Sequence, residues 1–248
     1  PPGVKSKGWW GSSTCRKSSI ASPFADRADL SFEVPTEPSD PEAPQRLDAF
    51  ADQVAEPTAS GRPSLDFLHV LLPHQPFDFT PGGQTYEAPD PPRGVDFGTW
   101  FDEGTAGLGR DRHLWQLELT DRLLLDVIES LRAAGTYDET LLVVTADHGI
   151  SFLADEPIRA QSTANGPEIA WTPLLVKSPG QDQGRVEEGR VETIDVLPTM
   201  AEMLGLELPD PVDGADRGDG GGPATDPVRV LAWNTELEPD EDGFVTVD

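Results

Sequence analysis

Asp147 and His148 stand side by side directly after the apolar run Leu141–Val144, and Gly149 follows them. A carboxylate and an imidazole together suit zinc or manganese better than a purely oxygen-lined site does. Neighbouring side chains of an extended strand point to opposite faces, so both groups can face one cation only if the chain turns there. Because Gly149 permits such a turn, the pair is a candidate divalent-metal site. The alternative is an Asp-His pair that only caps the following segment.

Two more histidines stand where chemistry is expected. His74 comes just after the apolar run Asp66–Leu72, as Asp147 comes after its own run. Ligands of open parallel sheets bind beyond the carboxyl ends of the strands, so both loops are candidate active-site loops. Arg112 and His113 begin the longest predicted helix, and the backbone N–H groups of a helix N-terminus attract anions. His113 is therefore a candidate anion contact; the alternative is that it anchors the preceding loop.

Hydrophobic periodicity predicts the elements that would position these residues. Apolar runs predict strands at Asp66–Leu72, Thr140–Thr145 and Trp171–Lys177. Apolar residues three or four positions apart predict helices at Leu47–Val54, Arg112–Ala134 and Ile194–Leu204. The order of these elements favours an α/β fold with a mainly parallel sheet flanked by helices. The longest helix is expected to bury a stripe that contains Leu114, Leu117, Asp121, Leu124, Ile128 and Leu131, with Asp121 paired.

The composition narrows the possible partners. The 248 residues include 45 acidic and 18 basic ones, a net charge of −27, which speaks against nucleic acid because phosphate backbones require a basic footprint. Cys15 is the one cysteine, which excludes an internal disulfide and a metal cage made of several thiolates. No apolar stretch approaches the roughly 20 residues that span a bilayer. Since the chain begins at Pro1 without methionine, we expect a cut N-terminus and membrane association only through segments outside this chain.

Four segments, in order, resemble the alkaline phosphatase/sulfatase superfamily over about residues 64–215. They are Gly135–Thr140 leading into Leu-Leu-Val-Val-Thr-Ala-Asp-His-Gly, the strand and Pro-Gly turn Thr172–Gly180, the segment Val191–Met200, and Val212-Asp213-Gly214. The Ser or Thr plus Leu that often follows the last of these in the family is missing. The resemblance implies an α/β, alkaline phosphatase-like fold that is incomplete at its N-terminal side.

The resemblance also implies roles for the candidate residues. An Asp-His or Asp-Asn pair after this strand binds the catalytic metal in the family, so Asp147 and His148 would hold a divalent cation such as Zn, Mn or Ca. The strand before His74 is similar to the one that carries a substrate-binding histidine, which can hydrogen-bond the ester oxyanion or assist the leaving group. Arg159 lies where sulfatases have a basic side chain that contacts the ester anion, and His113 is a further candidate substrate contact. A solvated loop is the alternative for His74 and Arg159.

The nucleophile of the family is not recognisable in this sequence. It is a Ser, a Thr or a cysteine converted to formylglycine, and sulfatases carry the cysteine in a Cys-x-Pro-Ser-Arg pattern. The segment around Cys15 reads Cys-Arg-Lys-Ser-Ser, which lacks both the Pro and the Arg. We therefore expect the nucleophile and a further acidic ligand to lie upstream of this chain.

These patterns predict three regions and one principal function. Residues 1–45 form an extended linker, 46–215 the C-terminal part of the α/β domain, and 216–248 a Gly/Asp/Pro-rich tail with a possible edge strand at Val228–Trp233. The predicted function is metal-dependent hydrolysis of sulfate or phosphate esters on cell-envelope or extracellular substrates, by a protein that is extracytoplasmic and membrane-anchored when full length. Two alternatives stay open: phosphoethanolamine or phosphoglycerol transfer, and a non-catalytic binding module that lacks the nucleophile.

Overall fold

The computed structural model describes residues 29–33, 41–56, 63–87, 95–96, 98–218, 221, 228–231, 237–241 and 243–247. Within these ranges the helices are α1 (Ala43–Ala55), α2 (Glu103–Ala134), α3 (Gly166–Ala170) and α4 (Val196–Met203). The strands are β1 (Asp29–Glu33), β2 (Ser64–Leu68), β3 (Val95–Asp96), β4 (Thr99–Trp100), β5 (Leu142–Thr145), β6 (Leu174–Lys177), β7 (Val228–Leu231) and β8 (Phe244–Val247). None of the helices in these ranges is long and apolar enough to cross a lipid bilayer.

The described strands form four two-stranded sheets. β1 and β2 pair in parallel, whereas the pairs β3–β4, β5–β6 and β7–β8 are antiparallel. The predicted α/β character is present, but β5 and β6 run in opposite directions, whereas the sequence favoured a mainly parallel sheet. The connection between them contains only the short helix α3 and otherwise consists of loop, so it is not the crossover helix that usually joins parallel strands.

Strands also occur in the predicted linker and in the predicted tail, for which the sequence indicated little regular structure. β1 falls inside the predicted linker 1–45 and pairs with β2 along its whole length. Its five residues are too few for a clear period, which is why the sequence pattern missed it. The tail contains β7, which corresponds to the edge strand expected near Val228–Trp233, and β7 pairs with β8.

The long helix α2 begins at Glu103, well before the predicted start at Arg112. Asp102 and Thr105 form a capping box, in which the Thr105 N–H donates to the Asp102 carboxylate at 2.8 Å. Gly135 ends the helix in the left-handed conformation, with φ at 76°. The sequence pattern placed the start too late because three glycines of low helix propensity lie in the first turns: Gly104, Gly107 and Gly109.

The core between α1 and α2 uses a different face of α2 from the predicted stripe. The buried apolar residues of this face are Leu119, Leu123, Val127 and Leu131, which cluster with Leu47 and Ala51 of α1, and of these only Leu131 was in the predicted stripe. Gln116 is buried on the same face. Leu114 and Leu117 are exposed, and Asp121 is exposed as well, contrary to the prediction that it is buried. The polar residue Gln116 interrupts the apolar spacing on the face of α2 that is buried. Hydrophobic spacing alone therefore favoured the adjacent face of the helix, which contains Leu114 and Leu117.

The predicted strands before and after the site are shorter in the structure. β2 ends at Leu68 and leaves Phe67 exposed, whereas Val70 and Leu72 pack against the α1–α2 core from irregular chain. β6 begins at Leu174 and leaves Trp171 exposed. The apolar residues beyond β2 anchor the loop that follows it, and sequence periodicity does not distinguish such anchors from strand residues.

A second buried cluster lies beneath the loop that follows β5. It consists of Phe77, Trp100, Ala106, Phe152 and Ile158. The Trp100 ring stacks on Phe152 with centroids 5.9 Å apart, and its Nε1 donates to the Ser151 carbonyl at 2.9 Å. A Cβ at Gly109 would lie 2.2 Å from the Trp100 ring. The packing of Trp100 therefore requires glycine at position 109 of α2.

The buried carboxylate of Asp195 joins α4 to the chain after Gly214. It accepts hydrogen bonds from the Ala215 N–H at 2.8 Å, the Glu192 N–H at 3.0 Å and the Arg217 Nε at 3.1 Å. Burial acts to raise the pKa of Asp195, but these hydrogen bonds and the Arg217 charge outweigh it and hold the pKa below its ordinary value. Asp195 therefore ties the start of α4 to the segment that contains Ala215 and Arg217.

Alanine at position 109 tests the contact with Trp100. Because the new Cβ forces the indole or the helix to shift, we expect Gly109→Ala to lower the free energy of unfolding by about 1–3 kcal/mol. Gly107→Ala is the matched control: its Cβ would meet nothing within 4 Å, and alanine favours a helix over glycine by about 0.5–1 kcal/mol. Urea denaturation measures both variants. Equal stabilities for the two would contradict the packing at Trp100.

Acidification tests the role of Asp195. Its folded-state pKa lies below the ordinary value of 3.8, so its stabilising contribution is present at neutral pH and is lost as acidification passes 3.8 and reaches the lowered folded-state pKa. The free energy of unfolding of the wild type should fall more steeply over this interval than that of Asp195→Asn. Asp210→Asn, at an exposed position, serves as control and should follow the wild type. Parallel curves for wild type and Asp195→Asn would show that this carboxylate is not a stabilising group.

Candidate active site

Asp147 and His148 lie in the turn directly after β5, where the sequence placed them. The Asp147 side chain is 77% exposed and that of His148 is 31% exposed. The His148 backbone N–H donates to the Asp147 carboxylate at 3.0 Å, and the other carboxylate oxygen lies 3.8 Å from His148 Nε2. The two side chains therefore face the same region, as a shared ligand would require.

The guanidinium of Arg159 joins His148 to His74. Its Nη2 lies 2.7 Å from His148 Nε2, and its Nη1 lies 3.2 Å from His74 Nε2. Arginine can only donate hydrogen bonds, so both imidazole Nε2 atoms must act as acceptors. The structure thus brings together four of the five residues that the sequence singled out, from three separate loops.

The backbone fixes the tautomer of both imidazoles. His148 Nδ1 lies 2.7 Å from the Gly149 carbonyl, and His74 Nδ1 is hydrogen-bonded to the Gln75 carbonyl. Since carbonyls only accept, each Nδ1 carries the proton and each Nε2 keeps its lone pair. Burial lowers the pKa of His74, and the Arg159 charge adds to this effect against the opposing hydrogen bond to Gln75. Both rings therefore present lone pairs toward Arg159.

Gly149 is needed at its position because of a close contact. A Cβ at Gly149 would lie 2.0 Å from the Glu168 carbonyl oxygen, and the Gly149 N–H donates to the Ile169 carbonyl at 2.8 Å. The sequence attributed this glycine to a turn, whereas α3 passes too near for any side chain. The Glu168 carboxylate also accepts hydrogen bonds from Ser151 Oγ at 2.7 Å and the Phe152 N–H at 2.9 Å. α3 therefore holds the backbone that follows His148.

A buried carboxamide holds the loop that carries Arg159. Asn165 is fully buried, and its Nδ2 donates to the Pro157 carbonyl at 2.7 Å and the Ala160 carbonyl at 2.9 Å. Its Oδ1 accepts from the Ser162 N–H at 2.7 Å. These bonds bracket Arg159 on both sides, so its backbone position depends on Asn165. Sequence reasoning did not assign this role to Asn165, because an isolated loop asparagine gives no sign of it.

His113 is not at a helix N-terminus, because α2 begins at Glu103. Its ring lies between Phe77 and Phe152, with centroid distances of 5.6 and 5.4 Å, and burial lowers its pKa. Its Nδ1 lies 3.3 Å from the Pro73 carbonyl. The predicted anion contact through a helix N-terminus is therefore wrong, and the alternative, an anchor for the preceding loop, fits this position.

The donors available for a metal are the Asp147 carboxylate and the His148 imidazole. Both are of the kind that zinc and manganese accept, and the His148 Nε2 lone pair and the exposed carboxylate lie on one side. No group of three or more His, Cys, Asp or Glu residues suited to a metal occurs in the described part of the chain. The donor chemistry of the pair therefore suits a divalent cation, for which these two groups would form part of a ligand set.

Comparison with known proteins relates this chain to a family. The sequence matches the family model described as Sulfatase over residues 5–206. It is 36% identical over 119 residues to the multifunctional alkaline phosphatase superfamily protein PehA of Trinickia caryophylli, which covers 47% of this chain and 23% of that protein. It is 30% identical over 95 residues to arylsulfatase K of Bos taurus, which covers 38% of this chain and 17% of that protein.

The fold is also found among solved structures. The phosphonate monoester hydrolase of Agrobacterium radiobacter is similar with a TM-score of 0.55 and 17% identity, over 88% of this chain and 50% of that one. The likeness confirms the predicted alkaline phosphatase-like α/β fold, of which this chain holds a part. The matched regions span about a quarter or less of the two curated relatives and half of the solved structure. With a family match that runs over most of its length, the chain belongs to the sulfatase family.

Proposed function

We propose that this chain forms part of a metal-dependent hydrolase of sulfate or phosphate esters. The observation that carries the proposal is the convergence of His74, Arg159 and His148 at 3.2 and 2.7 Å, beside the exposed carboxylate of Asp147. A guanidinium fork matches two oxygens of a sulfate or phosphate group. Such a group is therefore the ligand for which this arrangement is best suited.

Each residue has a role that its geometry supports. Arg159 binds the anionic oxygens of the ester through its two outer nitrogens. Asp147 and His148 would hold the metal, which supplies Lewis-acid polarisation of an ester oxygen when bound. The His148 lone pair can serve Arg159 or a metal, but not both at once, because an imidazole Nε2 has one lone pair.

His74 is suited to accept a proton. Its Nδ1–H is used by the Gln75 carbonyl, so Nε2 in this tautomer has no hydrogen to donate to an ester oxyanion. The sequence resemblance offered two roles, hydrogen bonding to the oxyanion or assistance to the leaving group. The geometry favours Arg159 for the oxyanion and leaves His74 to take up and return a proton at its Nε2.

The proposed substrates include both ester classes. The names of the relatives cover a phosphatase superfamily protein, an arylsulfatase and a phosphonate monoester hydrolase. The donors at Arg159 fit the tetrahedral anion that these esters share. An extracytoplasmic location and cell-envelope substrates remain part of the proposal, and the acidic, cysteine-poor composition is compatible with both. Membrane anchoring stays a prediction about segments outside this chain.

Metal content and ester hydrolysis test the proposal in the full-length protein. We expect the double variant Asp147→Ala/His148→Ala to lose metal and to lower kcat/KM on aryl sulfates, phosphate esters or phosphonate monoesters by a hundredfold or more, about 3 kcal/mol in the barrier. His69→Ala is the matched control, since this exposed histidine lies outside the site. Undiminished metal content in the double variant would contradict the metal assignment.

The same assays separate the two alternative functions. A transferase gives an increasing share of transfer product when an alcohol acceptor such as glycerol or ethanolamine is added. A binding module retains metal and binds inorganic phosphate or sulfate, yet turns over none of the esters. Either result would replace hydrolysis as the function of the site.

Asn165→Asp tests how the Arg159 loop is held. The substitution keeps the shape of the side chain and its acceptor for Ser162, but removes the donor to the Pro157 and Ala160 carbonyls. We expect a loss of about 1–3 kcal/mol for each carbonyl left unsatisfied, measured by urea denaturation. Thr163→Ala, at an exposed position in the same loop, should stay within about 0.5 kcal/mol of the wild type. An Asn165→Asp protein as stable as Thr163→Ala would overturn the assignment.

A further inference from the structure

Gln116 is a fully buried polar residue in the otherwise apolar face of α2. Its Nε2 donates to the His74 carbonyl at 2.9 Å and to the Pro73 carbonyl at 3.2 Å. Its Oε1 accepts from the Asp78 N–H at 3.0 Å and the Phe79 N–H at 3.3 Å. A carboxamide has two donor hydrogens and two acceptor lone pairs, so the loop around His74 uses its whole hydrogen-bonding capacity.

The four bonds also fix which way the amide points. Both partners on the nitrogen side are carbonyls, and both partners on the oxygen side are N–H groups. Exchanging the two ends of the amide would turn every one of these contacts into a donor facing a donor or an acceptor facing an acceptor. The side chain of Gln116 is therefore a specific clamp on the backbone of residues 73–79.

Two hydrogen bonds connect the Gln116 carboxamide to the orientation of the His74 ring. Gln116 holds the His74 carbonyl, and the ring of the same residue is hydrogen-bonded through Nδ1 to the next carbonyl, that of Gln75. This second bond puts the proton on Nδ1 and leaves the Nε2 lone pair for Arg159. His113 supports the same loop at Pro73, so two side chains of α2 hold this stretch of backbone.

We propose that Gln116 is a positioning residue for His74: its carboxamide holds the loop backbone so that His74 keeps its Nδ1–H tautomer and directs Nε2 at Arg159. The proposal depends on the proposed function only for its effect on catalysis. Its effect on the imidazole is a property of the protein itself and can be measured without any substrate.

Nuclear magnetic resonance of histidine nitrogens tests this directly. The full chain, which has four histidines, is labelled with 15N-histidine, and the His74 signals are those absent from His74→Gln. In the wild type we expect the pattern of a pure Nδ1–H tautomer at His74. In Gln116→Met, which keeps the length of the side chain and removes all four bonds, we expect an averaged tautomer pattern at His74 and unchanged signals from His148. An unchanged His74 pattern would overturn the proposal.

Two further variants separate positioning from stability. Gln116→Glu keeps the acceptor for Asp78 and Phe79 but loses the donor to the His74 carbonyl, so its His74 signals should change as in Gln116→Met. Val127→Ala removes buried volume from the same helix about three turns away, and should lower the stability with the His74 pattern intact. A His74 pattern altered equally by Val127→Ala would show that general destabilisation is the cause.

Steady-state kinetics on the full-length protein tests the effect of Gln116 on catalysis. Gln116→Met should lower kcat by on the order of tenfold to a hundredfold, with metal content unchanged because Asp147 and His148 are not touched. If the wild type hydrolyses no ester, the proposed function fails while the tautomer experiment still decides the role of Gln116. If the His74 pattern changes and kcat does not, Gln116 positions a ring that the reaction does not use, and the catalytic part of the proposal is overturned.

Discussion

Backbone N–H and C=O groups that leave water must find hydrogen-bond partners, and much of this chain cannot find them in helices or sheets. Its 25 prolines and 24 glycines leave long loops around short strands. Polar side chains meet the requirement instead: Gln116, Asn165 and Asp195 each bond two or more backbone groups, and Glu168 bonds the Phe152 N–H. Leaving such a group unsatisfied costs about 1–3 kcal/mol, so these few residues determine the paths of the loops.

The candidate site is the place where three of these supported loops meet. His74, Arg159 and His148 come from separate stretches of chain, and each stretch is held by a different element: α2, Asn165 and α3 respectively. A group on a free loop loses its geometry easily, whereas a group whose backbone is fixed on both sides can hold a contact of 2.7 or 3.2 Å. The chemistry proposed for Arg159 therefore relies on residues that touch no substrate.

The sequence was most informative where residue chemistry and a strand end coincide. Asp147, His148 and His74 could be named in advance because they follow predicted strands, where ligands of α/β sheets bind, whereas Arg159 was named only from its position in the family resemblance. The supports could not, since Gln116 and Asn165 serve backbone atoms more than thirty and about five residues away, which no local pattern records. The prediction of which face of α2 is buried was wrong because a buried glutamine in that face interrupts the hydrophobic period on which the prediction rests. His113 and Asp121 were misplaced with it.

The guanidinium of Arg159 belongs to a chain with a net charge of −27, and this has a consequence for how an anion reaches it. Charges on exposed surfaces act over a Debye length of about 8 Å at physiological ionic strength, and beyond contact range an approaching anion meets mostly acidic side chains. Added salt weakens that repulsion but changes the short contact at Arg159 much less. Encounter with small anionic esters should therefore become faster as ionic strength rises, the reverse of what a positively charged funnel produces.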